Sequence, residues 1–174
     1  IAQDRLLARR IRALLARTSE LSIHDETGWK LSTTRAASAL MSWLDIVKSG
    51  KQGPGAVLLM DFLKIPLIDW SVWGVDASKA SAFLENFEKI LINETAKEGW
   101  HALERAIKQG QLTASCVLDR ELALIERLKV LSQSWLNQKN TCAAWRDLLI
   151  HTLNELGIYK RLASDSAGAQ LLAV

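Results

Sequence analysis

His24 stands beside Asp25 and Glu26, and a histidine next to carboxylates is the smallest set of groups that can pass a proton. The neighbourhood argues against that use. Asp25, Glu26, Thr27 and Gly28 are turn formers, so these polar groups read as solvated surface. Ser32, Thr33 and Thr34 supply hydroxyls, but no Gly-x-Ser-x-Gly elbow surrounds them to expose a nucleophile. Asp61, Asp69 and Asp76 are spread along a segment broken at Pro66, without the spacing of a cation loop. Cys116, Cys142, His24, His101 and His151 show no metal-ligand spacing. The stretch Lys48-Ser-Gly-Lys-Gln-Gly-Pro-Gly55 is rich in glycine, yet Gly-x-x-x-x-Gly-Lys-Ser/Thr occurs nowhere in the chain. No catalytic residue, metal or cofactor is expected.

Binding chemistry is easier to find. Arg5, Arg9 and Arg12 recur at i, i+4 and i+7, Arg10 and Arg17 add to them, and Asp4 is the one acid nearby. Such a ridge is either a solvated helix face or a set of contacts to phosphates. The net charge of the whole chain is only +3, so any attraction to nucleic acid must be local.

The elements that must position these groups are mostly helices. Leu7, Ile11, Leu14 and Leu15 stripe a helix over Asp4–Thr18, and Glu20–Asp25 alternates as a short strand would. After the turn, Ser32, Thr33 or Thr34 caps a helix whose apolar face is Ala36, Leu40, Trp43, Leu44 and Val47. The Lys48–Gly55 loop is the expected internal boundary. Beyond it the pattern predicts a short apolar helix over Ala56–Lys64, a break at Pro66, and a packed turn over Leu67–Gly74. A helix starting at Asp76 or Ser78 follows. The next opens with the capping-box form Thr95-Ala-Lys-Glu98 and ends at Gly110. Thr113–Asn137 is expected to be the longest helix and to sit mid-bundle. Asn140 or Thr141 caps another that Gly157 stops, and Ser164 or Asp165 opens a last one. The fold class is therefore mainly α: a multi-helix bundle with a small α/β edge near the N-terminus. Residues 1–50 form the edge segment and 51–174 a helical subdomain.

At 174 residues and 49% hydrophobic the chain can bury one substantial core. The seven tryptophans read as anchors of that core. Two cysteines fit a reduced, cytoplasmic setting, and no apolar run or leader pattern points to a membrane or to secretion. A start at Ile1 and an apolar end, Gln170-Leu-Leu-Ala-Val174, read as the cut ends of a piece of a longer polypeptide.

The segments Asp4-Arg-Leu-Leu-Ala-Arg-Arg-Ile-Arg-Ala-Leu-Leu15 and Asp25-Glu-Thr-Gly-Trp-Lys-Leu-Ser-Thr-Thr34 together resemble a known pattern. So do Asp61-Phe-Leu-Lys-Ile-Pro-Leu-Ile68, Phe87-Glu88 and Gly99-Trp100. The resemblance is to the second helicase-like domain of the B-type component of bacterial ATP-dependent helicase–nucleases, within the superfamily 1 helicase and RecB-type nuclease group. It implies a non-catalytic segment of a cytoplasmic DNA repair exonuclease or helicase, working with a partner helicase–nuclease subunit. The motifs that hydrolyse ATP, cut DNA or hold an iron–sulfur cluster in that family are absent here, so this chain alone is expected to do none of these. The resemblance places Arg9, Arg10, Thr33, Thr34 and Arg35 nearest the DNA, which is expected to be single-stranded. Helix-start amides and arginines there would meet phosphates. The alternative is a helical protein–protein interaction module unrelated to DNA, which predicts an exposed apolar patch around Leu171–Val174.

Overall fold

The computed structural model describes residues 34–94, 98–114, 119–136 and 141–173. The expected helix Asp4–Thr18 and strand Glu20–Asp25 lie outside the described residues, as do Arg9, Arg10, Thr33 and Cys116. The described residues form helices and turns with no strand among them, so the mainly-α reading holds. They belong to a compact unit, Leu31–Val174.

Helix α1 (Arg35–Lys48) starts because Thr34 is extended, and its hydroxyl accepts the Ala37 N–H at 3.2 Å. Of the three expected caps within Ser32–Thr34, Thr34 fills the role. The helix buries Ala36, Ala39, Trp43 and Ile46 along one face. Helix α2 (Ala56–Leu63) stops before Pro66, as proline requires. Two 3-10 turns follow, Trp70–Trp73 and Ala77–Lys79, capped by the carboxylates of Asp69 and Asp76. Then come α3 (Ala80–Asn93), α4 (Trp100–Ala114), α5 (Asp119–Leu136), α6 (Cys142–Glu155), α7 (Tyr159–Ser164) and α8 (Ser166–Leu172). Thr141 caps α6, and Asp165 caps α8 through the Gly168 N–H at 3.0 Å. Gly157, at φ 71°, turns the chain out of α6.

Most successive helices pack on one another. In addition α1 meets α2, α5 and α8, so it is the helix the bundle shares. Helices before and after the Lys48–Gly55 loop thus feed one core: Trp43 of α1 lies 5.6 Å from Phe62 of α2, ring to ring. Trp43, Trp70, Trp100 and Trp135 are buried, and Trp73 and Trp145 half-buried, as core anchors should be. The Trp135 indole N–H donates to the Thr152 hydroxyl at 3.0 Å, which donates onward to the Leu148 carbonyl. The buried indole N–H groups of Trp43 and Trp100 find no hydrogen-bond partner among the described residues, each costing about 1–3 kcal/mol of desolvation.

Gly110 corrects one expectation. It does not end a helix; α4 runs on to Ala114, and the expected Thr113–Asn137 helix is instead α5, described from Asp119 to Leu136. A glycine stops a helix by turning left-handed, and Gly110 does not. It is buried where α3 crosses α4, and a Cβ there would sit 2.8 Å from the Ile90 Cγ2. The residue is a glycine because the helices approach closely, and Ile90 is β-branched and cannot swing away. Gly110→Ala is therefore expected to destabilise the protein by about 1 kcal/mol net. Overpacking costs about 1–3 kcal/mol and exceeds alanine's helix advantage of about 1 kcal/mol. A denaturant midpoint that stays level or rises would show that this contact does not constrain the position.

Candidate functional site

Arg9, Arg10 and Thr33 lie outside the described residues, so the geometry of the expected DNA-contact set is described at Thr34 and Arg35. The Thr34 side chain is engaged as the α1 cap. Arg35 follows it in the first turn, exposed, and no acidic residue shares that turn. Within that turn no carboxylate faces the positive end of the helix dipole.

Of the quoted sequence motifs, Asp61–Ile68, Phe87-Glu88 and Gly99-Trp100 lie in the described residues and serve packing. Phe62 and Leu63 are buried, and Lys64 pairs with Glu88 of α3 at 2.6 Å. Phe87 is buried beside it. Gly99 and Trp100 are clamped by the Ser49–Gly55 loop: the Gln52 carbonyl accepts from the Trp100 N–H at 2.8 Å, and the Pro54 carbonyl from the Gly99 N–H at 3.0 Å. Gly53, at φ 93°, lies over the Trp100 indole so closely that a Cβ would come within 2.5 Å of the ring. These glycines serve a loop-on-helix contact.

No group of three His, Cys, Asp or Glu side chains that could hold a metal occurs among the described residues. Asp69 and Asp76 are occupied as turn caps. The Ser71 hydroxyl and amide hold the Asp69 carboxyl below its usual range, and the Ser78 amide and hydroxyl do the same for Asp76. Asp61 is exposed on α2. His101 and His151 are exposed on helices.

Two arrangements were not legible in the sequence, because their members are far apart along it. Arg127 stacks 4.7 Å over Trp73, donates to Glu155 at 2.8 Å and to the Val72 carbonyl at 3.3 Å. With Arg161, which donates to the Pro66 carbonyl at 3.0 Å, it pins the segment between α2 and α3. Between α4 and α5, Lys129 pairs with Glu104 at 2.8 Å and Glu126 at 3.5 Å, and His101 lies 3.6 Å from Glu104. Burial alone would raise the Glu104 carboxyl, but the Lys129 hydrogen bond and charge, helped by His101 and Lys108, hold it below the usual range. The opposite holds for Glu121 of α5. It is buried with no ion pair among the described residues, and desolvation pushes its carboxyl above the usual range.

The apolar patch expected around Leu171–Val174 is not what the described residues show: Leu171 and Leu172 are half-buried, and Leu172 packs on the core. Large exposed apolar side chains stand elsewhere, at Val57, Ile92, Leu112, Val130 and Met41. Among the described residues no helix is long and apolar enough to cross a membrane.

A raised carboxyl pKa means that the native state favours the protonated form, so Glu121 costs stability once pH rises through the ordinary glutamate range toward its folded pKa. Glu121→Gln removes that cost. It is expected to raise the melting temperature at pH 7, with the gain shrinking as pH falls below the ordinary glutamate range. Melts of both proteins across that span check it; a gain that grows toward acid would reverse the assignment.

Compared with protein-family models, with curated proteins and with solved structures, the chain has no match, so the helicase-like resemblance rests on the quoted residues alone.

Proposed function

We propose that this chain is a non-catalytic, helicase-like segment of a cytoplasmic DNA repair exonuclease or helicase. It contributes to the architecture of that assembly beside a partner helicase–nuclease subunit and engages single-stranded DNA weakly and without sequence preference. The observation that supports this reading best is the start of α1. Thr34 caps the helix, Arg35 is exposed in its first turn, and no carboxylate in that turn opposes an arriving phosphate. In sequence this turn follows the arginine-rich segment containing Arg9 and Arg10. Basic and acidic side chains nearly balance over the described helices, which is why the attraction is expected to be local and weak.

Fluorescence anisotropy of a labelled single-stranded oligonucleotide, titrated at low and moderate salt, tests the proposal. Intrinsic tryptophan emission is the poorer reporter, since four of the described tryptophans are buried. Binding that fades steeply with salt is expected. In the triple variant Arg9→Ala, Arg10→Ala, Arg35→Ala the slope of log affinity against log salt should fall by about 2, at roughly 0.7 per phosphate contact. Absence of binding at low salt, or a slope the triple variant leaves unchanged, removes DNA engagement from the function.

A further inference from the structure

The exposed side of α4 presents His101, Arg105, Lys108 and Leu112 at i, i+4, i+7 and i+11, a single stripe along the helix. They line a shallow groove of about 370 Å³ together with Glu104 and Gln109. The acid in that groove is already matched from below, because Lys129 of α5 hydrogen-bonds Glu104 at 2.8 Å. Arg105 and Lys108 are exposed, and neither makes an ion pair among the described residues. Elsewhere among the described residues Lys48 pairs with Asp45, Lys64 with Glu88 and Arg127 with Glu155, while Lys89 and Arg120 are also exposed without an ion pair. At the end of the stripe Leu112 is 76% exposed, a large apolar side chain beside two unpaired cations. Exposed leucines occur singly on many surfaces; here the leucine continues the line of the charges.

We infer that this stripe is a docking surface for an acidic, amphipathic segment of a protein partner, with carboxylates on Arg105 and Lys108 and an apolar side chain on Leu112. Charge complementarity selects the partner's sign. Leu112 selects its class. A phosphate backbone would gain little from an exposed leucine. A peptide helix can carry carboxylates and an apolar side chain three or four residues apart on one face. The surface is separate from the α1 start, so the loss of DNA binding in the preceding experiment would leave it standing.

The probe is a fluorescein-labelled peptide carrying glutamates and one leucine at helical spacing, titrated against the full chain. Its controls are the same peptide with serine for leucine, a lysine-for-glutamate peptide, and the single-stranded oligonucleotide. The acidic peptide is expected to bind, and Arg105→Glu with Lys108→Glu to weaken it about tenfold. Leu112→Ser should weaken it severalfold and erase the difference between the leucine and serine peptides. All three positions are exposed, and circular dichroism checks that the fold is kept. No binding of the acidic peptide, or binding that both variants leave unchanged, overturns the inference. So does oligonucleotide binding that is lost in Arg105→Glu with Lys108→Glu but indifferent to Leu112→Ser, which would make the stripe a nucleic-acid contact.

Discussion

Burial of the inner face of α1 is the constraint on which the rest of the bundle depends. Ala36 and Ala39 are small enough to let neighbouring helices come close, and Trp43 and Ile46 fill the space that opens further along. Helices α2, α5 and α8 all pack on this one helix. A chain segment that touches three others cannot shift without moving them, so α1 sets the relative placement of elements more than a hundred residues apart. The cap at Thr34 fixes where that helix begins and hence which side chains face inward.

Charge does a different job. Among the described residues the ion pairs that join separate elements are few: Lys64 with Glu88, Lys129 with Glu104, Arg127 with Glu155, and Arg161 with Asp69. Pairs this exposed contribute little stability each, about 0–1 kcal/mol. Their larger effect is to neutralise carboxylates that line helix surfaces, which leaves the unpaired cations as the features a partner would sense. Arg35 at the start of α1 and Arg105 with Lys108 on α4 are exposed and make no ion pair among the described residues.

Much of the fold was legible because helical periodicity and capping are local. Thr34, Asp76, Thr141 and Asp165 each bond an amide two or three residues away, and Pro66 and Gly157 interrupt the chain where they stand. Gly110 was misread because a glycine at a helix end and a glycine at a helix crossing look alike along the sequence. Which one it is depends on Ile90, supplied by another helix. Of the candidate DNA contacts only Thr34 and Arg35 lie in the described residues, and composition alone could not say which cations would pair.

Taken by itself, the sequence determined the helical class, most of the element boundaries, the tryptophan anchors and the lack of a recognisable catalytic motif. All of these follow from residue types and spacings within a few turns of one another. Only the tertiary structure decided that Lys129 reaches Glu104, that Arg127 covers Trp73, and that Gly53 lies over Trp100. It likewise decided that Arg105 and Lys108 stand exposed beside Leu112, without an ion pair among the described residues. Such contacts join residues tens of positions apart, and the partner a side chain finds is set by helix packing, which local pattern does not encode.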